Sequence, residues 1–196
     1  MDRQILSQLQ PFNEARFDSA IALLSCKHNR ALSKYEIAKL HVLMDVFHTI
    51  EHGVPIVGGN LDAWALGPVI NEAYDRLEGW CDQLEYENVP PKDFIIKSEG
   101  NRRYLFPTFK PDPDDFSKSE TVAMDRAWDL LMSMLNKGYE GYQEAKAYFH
   151  SNDTFIGRAY NKARLENRPM DWHEVIDAYD ELHATNHSQI KTLLQC

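Results

Sequence analysis

A mainly α (α+β) fold, a helical domain of about six to seven helices with a small antiparallel β-hairpin or sheet, is what this sequence predicts. Three observations point there. Apolar residues recur at helical spacing in segment after segment. Helix-start signals of the capping-box kind stand at Ser33 with Glu36 and at Asp171 with Glu174. The β-rich runs DFIIKS and RRYLFPT flank Glu99-Gly100-Asn101, a turn signal of the hairpin type.

In chain order, residues 1–11 form a lead-in to a first helix from Glu14 to about His28. Asn13 is its N-cap, and Phe17, Ala20, Ile21 and Leu24 share one face. Asn29 and Arg30 end it. The next helix opens at Ser33, whose hydroxyl can accept from the amide of Glu36 while Glu36 reaches back to the amide of Ser33. From Ile37 and Leu40 through Leu43, Val46 and Phe47 to Ile50 it is apolar on almost every side, the mark of a buried central helix. Gly53 stops it as the left-handed residue past a helix end. The loop GVPIVGG leads to a strand-like run, NLDAWAL, and then to Gly67-Pro68. There the proline suits the first position of a helix running from Val69 to Glu78.

The stretch from Glu78 to Pro91 is ambiguous between a helical turn and a loop. NLDAWAL is expected to pair with the later hairpin into one small sheet. KPDPDDFSKS, rich in proline and charge, is the one credible linker. After it come a helix from Ser119 or Glu120 to Asn136, closed by Gly138, and helices over Glu140–Phe149 and Thr154–Leu165. The last helix starts at the Asp171–Glu174 box and carries Val175, Ile176, Tyr179 and Leu182.

At 196 residues the chain is expected to be one domain, 1–196, with a core motif region over 12–110 and a C-terminal helical part over 119–196. A chain this long buries roughly 70% of its unfolded surface and needs neither disulfide nor metal for stability. The net charge of −9 and pI near 5.3 speak against general nucleic-acid affinity, which needs clustered Lys and Arg, and suit a basic protein partner. Cys26, Cys81 and Cys196 are scattered, as in reduced, cytosolic chains. MDRQILSQLQ has no apolar signal core, and no run approaches ~18 apolar residues. A cytoplasmic protein without membrane contact or cofactor is expected.

An ordered set of short motifs runs through the first half: Lys39-Leu40, Asp45, His48, the run from Gly53 to Gly58 (GVPIVG), Gly67-Pro68-Val69 and Tyr74-Asp75. In this set, and in FNEARFDSAIALL ahead of LSKYEIAKL, the chain resembles the Panacea domain family of SocA-like antitoxins and proteolytic adapters. The resemblance covers Phe12 to Leu77; within it Val42 stands where many relatives carry an aromatic, and Met44 where they carry alanine. It implies a non-enzymatic antitoxin that neutralises a cognate toxin by direct binding, alone or by delivering it to a Clp-type protease. It implies no chemistry for Asp45. Asp45, Gly53, Gly58, Gly67 and Pro68 are then structural signature residues, and Gly67, Pro68, Tyr74, Arg103 and Tyr104 are candidates for partner binding.

Other readings of the same residues compete with this one. His48-Thr49-Ile50-Glu51-His52 spells H-x-x-E-H, with two histidines on one helical face as zinc requires. Against it, His52 sits in a fraying last turn, where the helix dipole already favours a histidine, and no third ligand is legible. No metal is expected, and a zinc-dependent hydrolase is the least favoured reading. Asp45, inside V-L-M-D-V-F, must be hydrogen-bonded if buried, and tying down the glycine loop or pairing with a base suits it better than acid–base catalysis. No nucleophile stands beside it in sequence. The glycine loop is not G-x-G-x-x-G, which weakens phosphate binding. The four tryptophans read as core. Helix, short link, helix and hairpin could also make a winged-helix DNA-binding regulator with Arg102-Arg103 on its wing. The helix after Gly67-Pro68 carries Glu72, Asp75, Arg76 and Glu78, a poor recognition helix.

Overall fold

The computed structural model describes residues 10–82, 93–100 and 102–193. Seven α-helices and two small antiparallel sheets make up the described chain, the mainly α architecture that the periodicity predicts. The N-terminal lead-in before Gln10, most of the ambiguous stretch up to Pro91, and Asn101 of the hairpin turn lie outside these residues. Two compact units result: Met1–Asn60 with Val69–Ser133, and Leu61–Pro68 with Met134–Cys196.

The first unit is built on two capped helices. Asn13 caps α1 (Glu14–Lys27) through the amide of Arg16, as the sequence leads one to expect. The Ser33–Glu36 box is complete at the start of α2 (Lys34–His52), and Gly53 closes that helix at φ +80°. Every residue of α2 from Glu36 to Thr49 is buried, as its all-round apolar pattern requires. Phe17, Ile21 and Leu24 of α1 are likewise in the core. Residue pairs Leu32↔Leu105 and Ser33↔Tyr104 join β1 (Leu32–Ser33) to β5 (Arg102–Pro107), which pairs in turn with β4 (Phe94–Glu99). The sheet order is β1-β5-β4. Phe17, Trp80, Phe94 and Phe109 form an aromatic chain with successive centroids 6.3, 4.8 and 6.1 Å apart, which fastens α1, the end of α3 (Asn71–Asp82) and the sheet together. A 3₁₀ turn at Pro113–Asp115 occupies the expected linker, and α4 (Lys118–Leu135) follows.

Two expectations are corrected here. Gly67-Pro68-Val69 does not begin a helix. It lies in β3 (Gly67–Ile70), which pairs with β2 (Leu61–Trp64), and the helix starts only at Asn71. A glycine–proline step suits the start of a strand after a tight turn as well as a helix N-terminus, and the buried run Val69-Ile70 decides for the strand. NLDAWAL correspondingly pairs with β3 and not with the later hairpin; Leu32–Ser33 takes that place.

In the second unit α5 (Tyr139–His150), α6 (Phe155–Glu166) and α7 (Trp172–Leu193) pack in succession. Thr154 caps α6 through the amide of Gly157, and the Tyr160 hydroxyl donates to the carbonyl of Trp64 at 2.9 Å. Gly157 is required by space: a Cβ there would stand 2.0 Å from the carbonyl oxygen of Ser151. Asp171 accepts from the amide of His173, but Glu174 does not close the expected box; its carboxylate pairs with Arg168 and Lys162, each at 2.6 Å. Two cations outcompete one backbone amide.

Candidate functional site

Asp45 is fully buried on the central helix, and its carboxylate accepts from three successive amides: Ile56 at 3.0 Å, Val57 at 2.9 Å and Gly58 at 2.8 Å. A buried carboxylate without such donors would be costly. Here it organises the GVPIVGG loop. Gly58 sits at φ +84°, and a Cβ on it would come within 2.6 Å of the Gln10 carbonyl. The Gln10–Asn13 segment is laced to this loop by Gly59 donating to Gln10 and Asn13 donating to Val57, both at 3.1 Å. Asp45 therefore serves the backbone, with His41 Nε2 3.2 Å from its second oxygen.

His48 and His52 stand with ring centroids 4.7 Å apart, but His48 is engaged elsewhere. Its Nδ1 lies 2.7 Å from the carbonyl oxygen of Val54 and its Nε2 3.3 Å from Ser119 Oγ. Among the described residues no group of three or more His, Cys, Asp or Glu side chains is placed to share a metal ion. The sequence shows no nucleophile for a base, yet the fold brings Ser119 to His48 across 71 residues. No local spacing could signal that pair.

Tyr74 and Arg103 stand beside one ion pair, and Tyr104 does not. Lys34, at the start of α2, binds Glu78 of α3 and holds its ammonium 4.2 Å from the centre of the Tyr74 ring. The hydrogen bond from Lys34 holds the Glu78 carboxyl below its usual range, and the charge of Arg103 adds to this. Burial draws the Lys34 ammonium down, but hydrogen bonds with Glu78 and Tyr74 outweigh it and hold the group above its usual range. Alternation along β5 puts Arg103 on the same face as buried Leu105 and Pro107, and Tyr104 with Phe106 on the other. On that outer face Tyr104 stands opposite Lys97, and Phe106 opposite Ile95. Ile95 is 48% exposed, one of the large apolar side chains left open to water. The outer face of the hairpin thus groups Ile95, Phe106 and Tyr104 with Lys97, and toward the turn Arg102 stands opposite Glu99. Ile95 and Phe106 were legible only once the register was known.

Gly67 and Pro68 are buried in β3 and offer backbone shape, with Gly67 at φ +101°. Trp80, Trp128 and Trp172 are buried, whereas Trp64 is half-buried. A cleft of about 720 Å³ opens among Phe12, Glu14, Glu72, Asp75, Arg76 and Trp80. Glu72 there already binds the amide and side chain of Asn60, and Arg76 binds Asp18 and Glu14.

A family model described as antitoxin SocA-like, Panacea domain, matches residues 37–152, more than half of the 196 residues. No curated protein and no solved structure matches the chain.

Proposed function

The chain belongs to the antitoxin SocA-like, Panacea domain family, and from that premise we propose that it neutralises one cognate toxin by direct contact through the β4–β5 hairpin. The observation that carries the choice of surface is the outer face of that hairpin, where Ile95 stands opposite Phe106 and Tyr104 opposite Lys97. Water-facing apolar side chains on one side of a small sheet are the usual mark of an interaction surface. Arg103, on the inner face of β5, and Tyr74 stand by the Lys34–Glu78 pair.

A winged-helix regulator finds less support. Arg76 is the only base in α3, and it is committed to Asp18 at the short end and to Glu14 at 2.8 Å. A helix with its one cation internally neutralised is a poor partner for phosphates. A cytoplasmic location and delivery of the bound toxin to a Clp-type protease complete the reading. Among the described residues no helix is long and apolar enough to cross a membrane.

The test is co-expression with the product of the adjacent reading frame. Rescue of growth with co-purification supports the antitoxin reading; neither rescue nor co-purification ends it. Toxin levels followed with and without the protease then separate blocking from degradation.

A further inference from the structure

We propose that Ser119 is a nucleophile activated by His48, forming a site that accepts an acyl or phosphoryl group from a small activated ester. This goes beyond toxin binding and does not depend on it. The hydrogen bonds around the pair admit one consistent set of protons. The Val54 carbonyl can only accept, so in the neutral ring His48 Nδ1 carries the hydrogen and donates to it at 2.7 Å. His48 Nε2 is then an acceptor, and the Ser119 hydroxyl donates to it at 3.3 Å. Ser117 Oγ accepts from the amide of Glu120 and lies 3.0 Å from Ser119 Oγ, so the Ser117 hydroxyl donates to Ser119. The relay runs from Ser117 to Ser119 to His48 to Val54. A base oriented by a third group, with a hydroxyl on its free nitrogen, is the arrangement by which serine is activated.

Access and electrostatics agree with this. His48 is 5% exposed, which holds the base in a fixed rotamer, while Ser119 is half-buried and can be reached. Ser119 lies in the first turn of α4, an 18-residue helix whose Ser117–Glu120 capping box leaves the amides of Lys118 and Ser119 without a partner among the described residues. First-turn amides are suited to the oxyanion that forms on the carbonyl oxygen of an ester attacked by Ser119. Val54, whose carbonyl accepts from His48, and Val122, one turn on from Ser119 in α4, are 41% and 53% exposed, which favours a short acyl chain over a charged one. In the step itself Ser119 Oγ bonds to the carbonyl carbon of the ester. Its proton passes to His48 Nε2 and on to the departing alkoxide as the carbon–oxygen bond breaks. Water, deprotonated by the same nitrogen, then bonds to the acyl carbon; the bond to Ser119 Oγ breaks, the proton passes from His48 Nε2 to that oxygen, and the acid leaves.

The probe is an alkyl fluorophosphonate, whose phosphorus bonds to Ser119 Oγ as fluoride leaves and His48 takes the proton. Intact mass and peptide mapping of the full chain should show one adduct, at Ser119. Ser119→Ala should abolish it, and His48→Gln should slow it about a hundredfold, the lower end of what a positioned base contributes. No adduct, or one equally fast at Ser133, overturns the proposal. Should His48→Gln fail to fold, Ser119→Cys decides: its thiol should react with iodoacetamide about tenfold faster than the exposed Cys26 of the same chain. An equal or slower rate overturns the proposal as well.

Discussion

Oδ2 of Asp45 lies 2.8 Å from the amide nitrogen of Gly58, thirteen residues further along the chain and past a helix end. With the amides of Ile56 and Val57 on Oδ1, the carboxylate turns the loop after α2 into a fixed element. Asp45→Asn keeps the shape but turns a donor toward donors and leaves at least one buried amide unsatisfied. The expected loss is about 3 kcal/mol, from charge-assisted hydrogen bonds that are lost and an amide stripped of water. Urea unfolding measures it; a loss below about 0.5 kcal/mol would show that water takes over the role of the carboxylate.

What could be read from sequence and what could not divides along the range of the interaction. Asn13, the Ser33–Glu36 box and Gly53 act within four residues of themselves, so their pattern carries the whole of their physics. The Ser117–Glu120 box is equally local and stands in the string SKSE, where the prolines and charges just before it give the segment the character of a linker. Asp45 was legible in part: a buried carboxylate must find donors, and the nearest run of spare amides was the glycine loop. Gly67-Pro68 points to a helix in the sequence and lies in a strand in the fold, because the same dipeptide serves a helix start and a post-turn strand. The pairing of Leu32 with Leu105, the stripe of Ile95 and Phe106, and the approach of Ser119 to His48 depend on residues 71 or more apart or on strand register. Local periodicity holds none of that information.

Gly67 takes φ +101° in a buried position, a conformation that side chains with a Cβ rarely adopt. Gly67→Val should therefore cost about 2 kcal/mol, above the ~1 kcal/mol of an ordinary substitution. An unchanged denaturation midpoint would show that the turn relaxes without strain.

Lys39 is 1% exposed in the central helix, and burial lowers its ammonium from 10.5 to about 7. Between those values the unfolded chain holds the proton and the folded chain releases it, so this group makes stability rise with pH through that window. Below about pH 7 both states are protonated and the cost of burial is fully present. Lys39→Met removes the titration. The stability of the variant relative to wild type should be highest below pH 7 and fall by on the order of 4 kcal/mol as pH approaches 10. Parallel curves for the two proteins over pH 6 to about 10 would mean that Lys39 keeps its proton in the fold.

The hairpin prediction separates contact from folding. Ile95, exposed, and Tyr104, half-buried, lie on the outer face of the β4–β5 pair, whereas Arg103 lies on the inner face near Glu78. Interfaces concentrate their energy in a few aromatic, apolar and Arg positions. Tyr104→Ala should therefore weaken toxin binding by about 2 kcal/mol, roughly thirtyfold in Kd, with thermal stability changed little. Ile95→Asp should do at least as much by placing a charge in the middle of the stripe. Arg103→Glu sets a second carboxylate beside Glu78. It should loosen the Lys34–Glu78 pair and reduce binding indirectly, with the loss sensitive to salt as expected of a charge effect. Co-purification, calorimetry and growth rescue with the cognate toxin read all three. If folded Tyr104→Ala and Ile95→Asp proteins bind and rescue as well as wild type, the toxin docks elsewhere. The cations and aromatics of this hairpin then serve only the sheet that carries them.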